Sequence, residues 1–529
     1  MRGKMGCLGG RTPQTEVDRT RPGWRCFNLP PRLNTTHLRS WILALGWAIA
    51  LPLAAAGPAQ PTEAAISFSS CQLEDASHFN VLGAECGTLE VPENPAAPQG
   101  RKIALHVARV PAINRRKSPD ALFLLAGGPG MAASTMYAGV AAAFARIHRN
   151  RDIVLVDQRG TGKSNVLNCA FDDEALLRAT PAEVEAETQK CLATLDTHAN
   201  VAFYTTSVAV QDLEQVRVAL GYEQINLYGS SYGTRVAEHY LRRFPKRTRT
   251  LILDGVVAPE LALGPEIALD AETALTNVFE RCKRDPACGE HFGDSEATYR
   301  ALRDALEAHP VSVNFTDPTT GEPAHLDFGP MHFATVLRLS TYSSEQAALL
   351  PLVLYLANHS GNYAPMAGQF MLMQRSYGDA LAYGMHNSVV CTEDVPFYKL
   401  ENVDRAKLAR TFLGTTQVDS LKSLCNGWPR GPMDADLHAP LKSDVPVLLL
   451  SGGNDPVTPP ANARKASVGL KHSLHIVLPD LGHGQLGAPC MDRVMAQFVD
   501  RASVDNLDTS CTRRATPMPF FTSPAGPSP

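Results

Sequence analysis

Short apolar runs alternate with helix-like stretches along much of the chain. In one run, Lys102–Val110 (KIALHVARV), apolar and polar residues alternate, as is typical of a strand with one exposed face. Six others are almost continuously apolar, which favours strands buried on both faces of a parallel sheet. These six are Ala121–Gly128, Asp152–Gly160, Ile225–Ser231, Thr250–Val256, Val445–Gly453 and Ser473–Asp480. Amphipathic segments such as TRVAEHYLRRF lie between them, so the pattern predicts an α/β fold with a mostly parallel central sheet.

The alternation of strand and helix stops between residues 259 and 444. This stretch is rich in Leu, Ala, Glu and His at helical spacing, for example in ALTNVFERCKRD and AALLPLVLYLANHS. It is predicted to be a mostly helical cap insertion, and such insertions often cover active sites and select substrates. Residues 59–258 and 445–512 are predicted to form the two parts of the core, and the Pro- and Ser-rich tail 513–529 is expected to be disordered.

The N-terminal segment, residues 1–58, is predicted to direct export. Residues before Arg39 are polar, Trp41–Leu53 is apolar, and the small-residue segment AAAGPAQ follows it. This is the pattern of a secretory signal after a long leader, which predicts a secreted or periplasmic protein. If the segment is not cleaved, it serves as a membrane anchor. The competing interpretation is a short buried helix of a cytosolic enzyme.

The cysteines favour an oxidising compartment. The chain has 12 cysteines, and ten of them lie after the predicted signal as neighbours along the sequence. An even set of this kind suits a disulfide framework, although sequence alone does not establish the pairing. The neighbouring couples are Cys71 with Cys86, Cys169 with Cys191, Cys282 with Cys288, Cys391 with Cys425, and Cys490 with Cys511. A zinc site fits less well because no C-x-x-C motif is present.

Composition excludes two broad classes of function. Of the 529 residues, 44% are hydrophobic and 19% are charged, which is too much charge for a polytopic membrane protein. The net charge is −4 and the chain has no long basic run, so a nucleic-acid partner is not expected. Any contact with a membrane is expected only through the N-terminal segment.

The segment LYGSSYG joins a predicted strand to a predicted helix. Its residues Gly229–Gly233 fit the G-x-S-x-G pattern, in which two glycines allow a sharp turn and the middle serine, Ser231, stands at the apex. Such a pentapeptide is weak evidence when it stands alone, because glycine and serine are common. A serine hydroxyl is also a poor nucleophile unless a base lies within hydrogen-bond reach.

Two later loops supply an acid and a base in the order expected after such a serine. Asp455 and His483 each follow a predicted strand, at the end where open α/β sheets build their sites. His483 is predicted to take the proton of Ser231, and Asp455 to orient the imidazole. Rival residues for these two roles are Asp480, His386, His472 and His475.

An oxyanion hole requires two N–H donors that point at the developing negative charge. The residue after the nucleophile, Tyr232, is predicted to supply one backbone N–H. Gly127 and Gly128, in the loop after an earlier strand, are the candidates for the other. An ordinary Gly-Pro turn is the alternative interpretation of that loop.

The ordered set of motifs resembles the α/β-hydrolase aminopeptidases, which comprise proline iminopeptidases and secreted tripeptidyl aminopeptidases. The resemblance runs from about Cys71 to Cys511. It rests on AGGPG, VDQRGTGKS, DLEQVRVALG, GSSYG, DPVTPP and GHG. It implies the triad Ser231, Asp455 and His483 and a mechanism without metal or cofactor. Ala126 stands where proline iminopeptidases usually carry His, which fits the tripeptidyl branch better.

The resemblance also implies roles for residues outside the triad. Asp157 and Arg159 are expected to brace the loops beneath the site. Members of the family bind the substrate amine with acidic residues of the cap, and Glu393 is the preferred candidate, with Asp394 beside it. An exposed or locally capping carboxylate is the alternative for either residue.

The predicted function is that of a secreted serine exopeptidase which cleaves peptides near a free N-terminus through an acyl-enzyme. A carboxylic-ester hydrolase with the same triad is the first alternative. A non-catalytic binding protein on the same scaffold is the second, and it predicts a broken triad.

Overall fold

A computed structural model of the chain describes residues 66–169, 175, 179–378 and 380–527. The predicted leader and signal, residues 1–58, lie outside the described residues. The strands are β1 Ser69–Glu74, β2 Val81–Pro92, β3 Lys102–Val110, β4 Leu122–Leu125, β5 Ile153–Val156, β6 Ile225–Ser230, β7 Thr248–Asp254, β8 Val311–Thr316, β9 Pro323–Phe328, β10 Val447–Gly452, β11 Ser473–Leu478, β12 Phe521–Ser523 and β13 Gly526–Pro527.

Helices separate most of these strands. The α-helices are α1 Ala133–Val140, α2 Ala145–His148, α3 Pro181–Leu195, α4 Thr206–Ala219, α5 Tyr232–Arg243, α6 Ile267–Arg284, α7 Pro286–Phe292, α8 Ser295–Ala308, α9 Pro330–Ser340, α10 Ser344–Ala347, α11 Leu350–Ser360, α12 Ala364–Gly378, α13 Tyr383–Glu393, α14 Arg405–Leu408, α15 Thr416–Asn426, α16 Pro460–Ser467 and α17 Met491–Arg501. Short 3-10 helices span Ala141–Phe144, Val201–Phe203, Val395–Phe397, Leu400–Asn402 and Ser510–Arg514.

Nine strands form the central sheet in the order β1-β2-β3-β5-β4-β6-β7-β10-β11. Six neighbouring strands, from β5 to β11, are parallel, and β1, β2 and β3 extend one edge in antiparallel fashion. The predicted α/β fold with a mostly parallel sheet is confirmed. The chain leaves β4 toward β5 on one side and later returns to β6 on the other. Loops at such a reversal of strand order open a crevice at the carboxyl ends of the strands.

The continuous apolar runs are explained by burial on both faces of the sheet. In β4, Leu122 and Leu124 lie in one apolar cluster, whereas Phe123 and Leu125 lie in the cluster on the other face. Because side chains alternate along a strand, every residue of β4 must be apolar to satisfy both layers. The sequence did not predict strands β1 and β2. Few of their residues are buried, so apolar and polar positions do not alternate clearly along them.

The segment between β7 and β10 packs around a third apolar cluster, which includes Leu275, Phe279, Leu337 and Leu354. Helices α6 to α15 make up most of this segment, in the stretch where helical spacing was recognised. It also contains the antiparallel pair β8–β9, which the apolar pattern did not indicate. Below, residues 259–444 are called the helical region.

The C-terminal tail differs from the expectation of disorder. Phe520 is only 3% exposed and lies in the apolar cluster of the helical region. The Phe521 N–H donates to the Ala348 carbonyl at 3.1 Å, and the Arg281 guanidinium covers the Phe520 ring at 4.0 Å. Two adjacent phenylalanines therefore supply apolar area that the Pro- and Ser-rich composition concealed.

All five neighbouring cysteine couples lie at disulfide distance, which confirms the suggested pairing. Their Cα–Cα separations run from 5.0 to 6.3 Å. Across the part of the chain described above, no helix is long and apolar enough to cross a membrane.

Candidate active site

Ser231 lies at the apex of a sharp turn between β6 and α5. Its φ of 54° and ψ of −123° fall where residues other than glycine are rare and strained. A Cβ on Gly229 would stand 2.4 Å from the Gly233 carbonyl oxygen, and a Cβ on Gly233 would stand 2.2 Å from the Leu125 oxygen. Neither position admits a side chain, so the two glycines allow the turn that holds Ser231 above the sheet.

The predicted oxyanion donors lie around this turn. A Cβ on Gly127 would stand 3.1 Å from Ser231 Cβ and 3.8 Å from Ser231 Oγ, so the loop after β4 runs directly beside the nucleophile. Tyr232 is the first residue of α5, where the N–H has no partner within the helix. Within the described ranges, no hydrogen bond is recorded for the N–H groups of Gly127, Gly128 or Tyr232. The oxyanion-hole role of these three residues stays a prediction.

The structure brings Asp455 and His483 together at the ends of the parallel neighbours β10 and β11. His483 Nδ1 and Asp455 Oδ2 are 2.8 Å apart. The other carboxylate oxygen accepts from the N–H groups of Val457 and Thr458 at 2.9 and 2.8 Å. The Thr458 hydroxyl donates to Asp455 Oδ2 at 2.8 Å and lies 3.1 Å from His483 Nδ1. These contacts hold the acid and the imidazole in one fixed arrangement.

The two groups shift each other's pKa in the directions that an acid–base pair needs. Burial acts to raise the pKa of Asp455, but the charge and hydrogen bond of His483 and the two backbone donors outweigh it and lower that pKa. Burial acts to lower the pKa of His483, but the carboxylate of Asp455, with a further contribution from Asp254, raises it. The site therefore favours a charged Asp455 and stabilises a protonated imidazole.

Residues Asp254 and Gly255, at the end of β7, lie between the serine turn and the histidine loop. The Ser231 N–H donates to the Asp254 carbonyl at 2.8 Å. The Asp254 carboxylate accepts from the Gln485 N–H at 3.0 and 2.8 Å, two residues after His483. A Cβ on Gly255 would stand 2.9 Å from His483 Cε1. Ser231 thus contacts Asp254, and His483 packs against Gly255, the next residue in the chain.

The Ser231 hydroxyl has no recorded hydrogen bond to any residue that the structure describes. In unliganded hydrolases, contacts between nucleophile and base are often long and tighten only when substrate binds. The roles of Ser231, Asp455 and His483 therefore stay predictions that this geometry supports.

Glu393 ends α13 and has no exposed surface. Its carboxylate accepts from the Thr206 N–H at 2.7 Å and the Thr206 hydroxyl at 2.8 Å, and it lies 3.6 Å from the Arg235 guanidinium. The Thr206 hydroxyl is also 2.7 Å from the Tyr232 hydroxyl. The predicted amine-binding role of Glu393 stays a prediction.

Asp157 and Arg159 make the kind of contacts expected of bracing residues. Asp157 is fully buried and accepts from the N–H and hydroxyl of Ser134 at 2.9 and 3.0 Å. Arg159 donates to both oxygens of Asp212 at 2.6 and 2.8 Å and to the Glu93 carbonyl at 2.7 Å. Asp157 thus connects the segment after β5 to α1, and Arg159 connects the same segment to α4 and to the residue after β2.

Two positions of this site escaped the sequence analysis although signals for them existed. Thr458 stands in the motif DPVTPP, three residues after the predicted acid. Asp254 lies within the predicted strand Thr250–Val256 and ends the observed strand β7, but an aspartate before glycine is also typical of an ordinary turn. Among the residues that the structure describes, no group of three or more His, Cys, Asp or Glu side chains could hold a metal ion.

Comparison with known proteins places this geometry in a class. The protein-family model described as "alpha/beta hydrolase fold" matches residues 120–289. A second family model, described as "TAP-like protein", matches residues 410–511. Together with the strand order and the serine turn, these matches make the chain an α/β-hydrolase.

Curated relatives narrow the class. Serine protease Hip1 of Mycobacterium tuberculosis is 28% identical over 425 residues, 74% of this chain and 79% of that protein. Tripeptidyl aminopeptidase of Streptomyces lividans is 26% identical over 522 residues, 91% of this chain and 92% of that protein. Both relatives support the resemblance of this chain to the α/β-hydrolase aminopeptidases.

Two further likenesses cover less of the chain or are weaker. Carboxylesterase B of Mycobacterium tuberculosis is 30% identical over 283 residues, 48% of this chain and 54% of that protein. A crystal structure of proline iminopeptidase from Mycobacterium smegmatis has a TM-score of 0.37 and 16% identity, over 78% of this chain and 98% of that chain.

Proposed function

We propose that this protein is an exported serine exopeptidase that cleaves peptides near a free N-terminus. The observation that carries the proposal is the hydrogen-bonded set Asp455, His483 and Thr458 at the carboxyl ends of two neighbouring strands. The strained serine turn stands on the other side of the Asp254–Gly255 dipeptide. Relatives named serine protease and tripeptidyl aminopeptidase support the substrate class.

In the proposed reaction, the Ser231 oxygen attacks the carbonyl carbon of the peptide bond while His483 removes the hydroxyl proton. The imidazolium that forms is stabilised by Asp455, which is charged and hydrogen-bonded to Nδ1. The N–H groups of Tyr232 and of Gly127 or Gly128 receive the oxyanion. His483 then protonates the leaving amine, and an acyl-enzyme remains that water hydrolyses.

In this proposal Glu393 recognises the free amino group, because a buried carboxylate forms a strong charge-assisted hydrogen bond with an ammonium. Thr206 links Glu393 to Tyr232, the residue that follows the nucleophile. The connection from Glu393 to the nucleophile thus runs through the Thr206 hydroxyl and the whole side chain of Tyr232.

Export is supported by the five disulfides, because such bonds persist in oxidising compartments. The secretory signal and any membrane anchoring through residues 1–58 belong to the proposal.

The test uses the purified protein, its Ser231→Ala variant and the neighbouring Ser230→Ala variant as a matched control. Each is given amides with a free amine, with a blocked amine, and with a free tripeptide, together with a short-chain ester. We expect wild type and Ser230→Ala to cleave the free-amine amides and to spare the blocked one, and Ser231→Ala to be inactive. Comparison of one-residue and tripeptide amides then gives the length of the unit released.

The second candidate is a carboxylic-ester hydrolase that uses the same triad. The similarity to carboxylesterase B over 283 residues favours it. Cleavage of the ester alone would support this candidate and remove the peptidase assignment. A non-catalytic binding protein is the least favoured function, and it requires that neither amide nor ester be cleaved.

A further inference from the structure

We propose that Asp254 is a positioning residue of the proposed hydrolase, which holds the serine turn and the histidine loop in register and supplies a second negative charge to His483. The inference rests on the proposed function, since it assigns a role within the same site. Asp254 is fully buried at the carboxyl end of β7, between the strand that leads to Ser231 and the strand β10.

The backbone and the side chain of Asp254 act on different parts of the site. Its carbonyl oxygen accepts from the Ser231 N–H at 2.8 Å. Its carboxylate accepts from the Gln485 N–H at 3.0 and 2.8 Å and from the Tyr228 hydroxyl at 2.9 Å. Because His483 is only two residues before Gln485, a shift of this carboxylate would move the imidazole relative to the nucleophile.

The charge of Asp254 matters as well as its hydrogen bonds. The carboxylates of Asp455 and Asp254 raise the pKa of His483, whereas burial and the guanidinium of Arg338 lower it. The groups packed against the ring from other loops, Tyr342 and Thr458, carry no charge. Asp254 therefore adds to the stabilisation of the imidazolium that forms while Ser231 attacks.

Asp254 also titrates in the working range of the histidine. Burial raises the pKa of Asp254 to about 6, against the opposing effect of the Gln485 N–H, the Tyr228 hydroxyl and the positive charge of His483. Two groups that interact in this way lose their protons as a pair. The acid limb of the pH–rate profile is thus expected to report Asp254 and His483 together.

The substitution Asp254→Asn separates charge from geometry. The amide oxygen can still accept from the Gln485 N–H, and the amide nitrogen can donate to the Tyr228 oxygen, since a hydroxyl serves as donor or acceptor. The backbone contact to Ser231 is unaffected. The variant therefore removes the negative charge while the Tyr228 hydroxyl keeps a partner and the Gln485 N–H keeps one of its two acceptors.

We expect Asp254→Asn to move the acid limb of kcat/KM to lower pH by about 0.5 to 1 unit, because loss of a nearby negative charge lowers the pKa of His483. At pH 8, kcat should be about three- to tenfold lower with KM nearly unchanged. The imidazolium that forms in the transition state loses the same electrostatic stabilisation that lowers the pKa of His483, and a shift of about 0.5 to 1 pKa unit corresponds to about this factor in rate. A purely structural role of Asp254 would lower the melting temperature and leave the acid limb in place.

Tyr228→Phe gives a graded second test if Asp254→Asn does not fold. It removes one donor that lowers the pKa of Asp254, so the carboxylate loses its charge at higher pH. Because the acid limb reports Asp254 together with His483, the limb of this variant should move to higher pH, opposite to the shift of Asp254→Asn. Tyr240→Phe is the matched control, because it deletes another buried tyrosine hydroxyl, bonded to Glu214 at 2.7 Å, away from His483. Its acid limb should coincide with that of the wild type.

Two failures remain distinguishable. A wild-type protein that is neither labelled at Ser231 by a fluorophosphonate nor active on any amide or ester would overturn the proposed function. An active wild type whose acid limb coincides with those of Asp254→Asn and Tyr228→Phe would overturn this inference alone.

Discussion

Gly255 lies against the ring of His483. A Cβ at this position would stand 2.9 Å from His483 Cε1, 3.2 Å from Nδ1 and 3.2 Å from the Thr458 hydroxyl. The backbone at Gly255 also has a φ of 67°, a conformation that residues with side chains adopt at a cost. The ring of His483, the predicted base, therefore occupies space that is free only because residue 255 has no side chain.

The substitution Gly255→Ala is expected to lower kcat/KM about 100-fold, because the new methyl group displaces the imidazole and a small misplacement of a reacting group is costly. Steady-state kinetics with a free-amine amide provide the measurement. Gly221→Ala is the matched control, since Gly221 has a φ of 74° and a Cβ there would meet nothing within 4 Å. Similar losses in both variants would show that backbone strain, and not the contact with His483, is responsible.

Thr458→Val removes the hydroxyl that bonds to Asp455 and approaches His483. We expect kcat to fall about three- to tenfold, the worth of one hydrogen bond, with little change in KM. Thr458→Ser keeps the hydroxyl and should retain most of the activity. Equal activity in the two variants would mean that the hydroxyl does not help to hold the imidazole.

Glu393→Gln tests recognition of the amine. If Glu393 binds the substrate ammonium, KM for free-amine amides should rise at least tenfold while hydrolysis of a short ester stays nearly unchanged, because only the amine contact loses its charge. Asp270→Asn is the comparison, since Asp270 is a half-buried carboxylate within electrostatic reach of Asp455. An effect confined to Asp270→Asn would move the amine-binding role to α6.

The buried state of Glu393 also predicts how stability varies with pH. Burial raises the pKa of Glu393 to about 7, against the charge of Arg235 and the hydrogen bonds from Thr206. The folded protein then holds a proton that the unfolded chain releases near pH 4.5, so this residue makes the free energy of unfolding fall as pH rises between these values. Urea unfolding at pH 5.5 and 7.5 should show a smaller decline for Glu393→Gln than for wild type.

The disulfides are expected to differ in their contribution to stability. Cys391–Cys425 closes a separation of 34 residues and Cys282–Cys288 one of 6 residues, both within the helical region. Chain-entropy reasoning gives losses of about 4 and about 2 kcal/mol when each pair is replaced by alanine. Equilibrium urea unfolding of the two double variants measures the order, and a reversed order would contradict the loop-length argument.

The central sheet was predictable because its strands are buried on both faces. Runs such as Leu122–Leu125 must be apolar at every position, and this produces a signal in a single sequence. The edge strands β1 and β2 and the hairpin β8–β9 carry no such requirement. The tail shows the same limit, since the burial of Phe520 depends on a surface of the helical region that composition does not reveal.

Some residues of the candidate site could likewise be predicted from the sequence, and others could not. Ser231, Asp455 and His483 stand in local motifs at strand ends, so spacing and order sufficed to propose them. Asp254 and Gly255 act through contacts with Gln485 and His483, more than two hundred residues away in the chain. Local pattern cannot report such contacts, because they exist only once β7, β10 and β11 lie side by side.

The order of the strands along the chain delays the appearance of activity. Asp455 and His483 follow β10 and β11, the last two strands of the central sheet to be synthesised, whereas Ser231 and its turn come before the whole helical region. A chain that is still being synthesised therefore carries the proposed nucleophile without its proposed base. Under the proposed mechanism, chain topology itself guards against premature proteolysis, because cleavage becomes possible only after almost the whole polypeptide has been synthesised and folded.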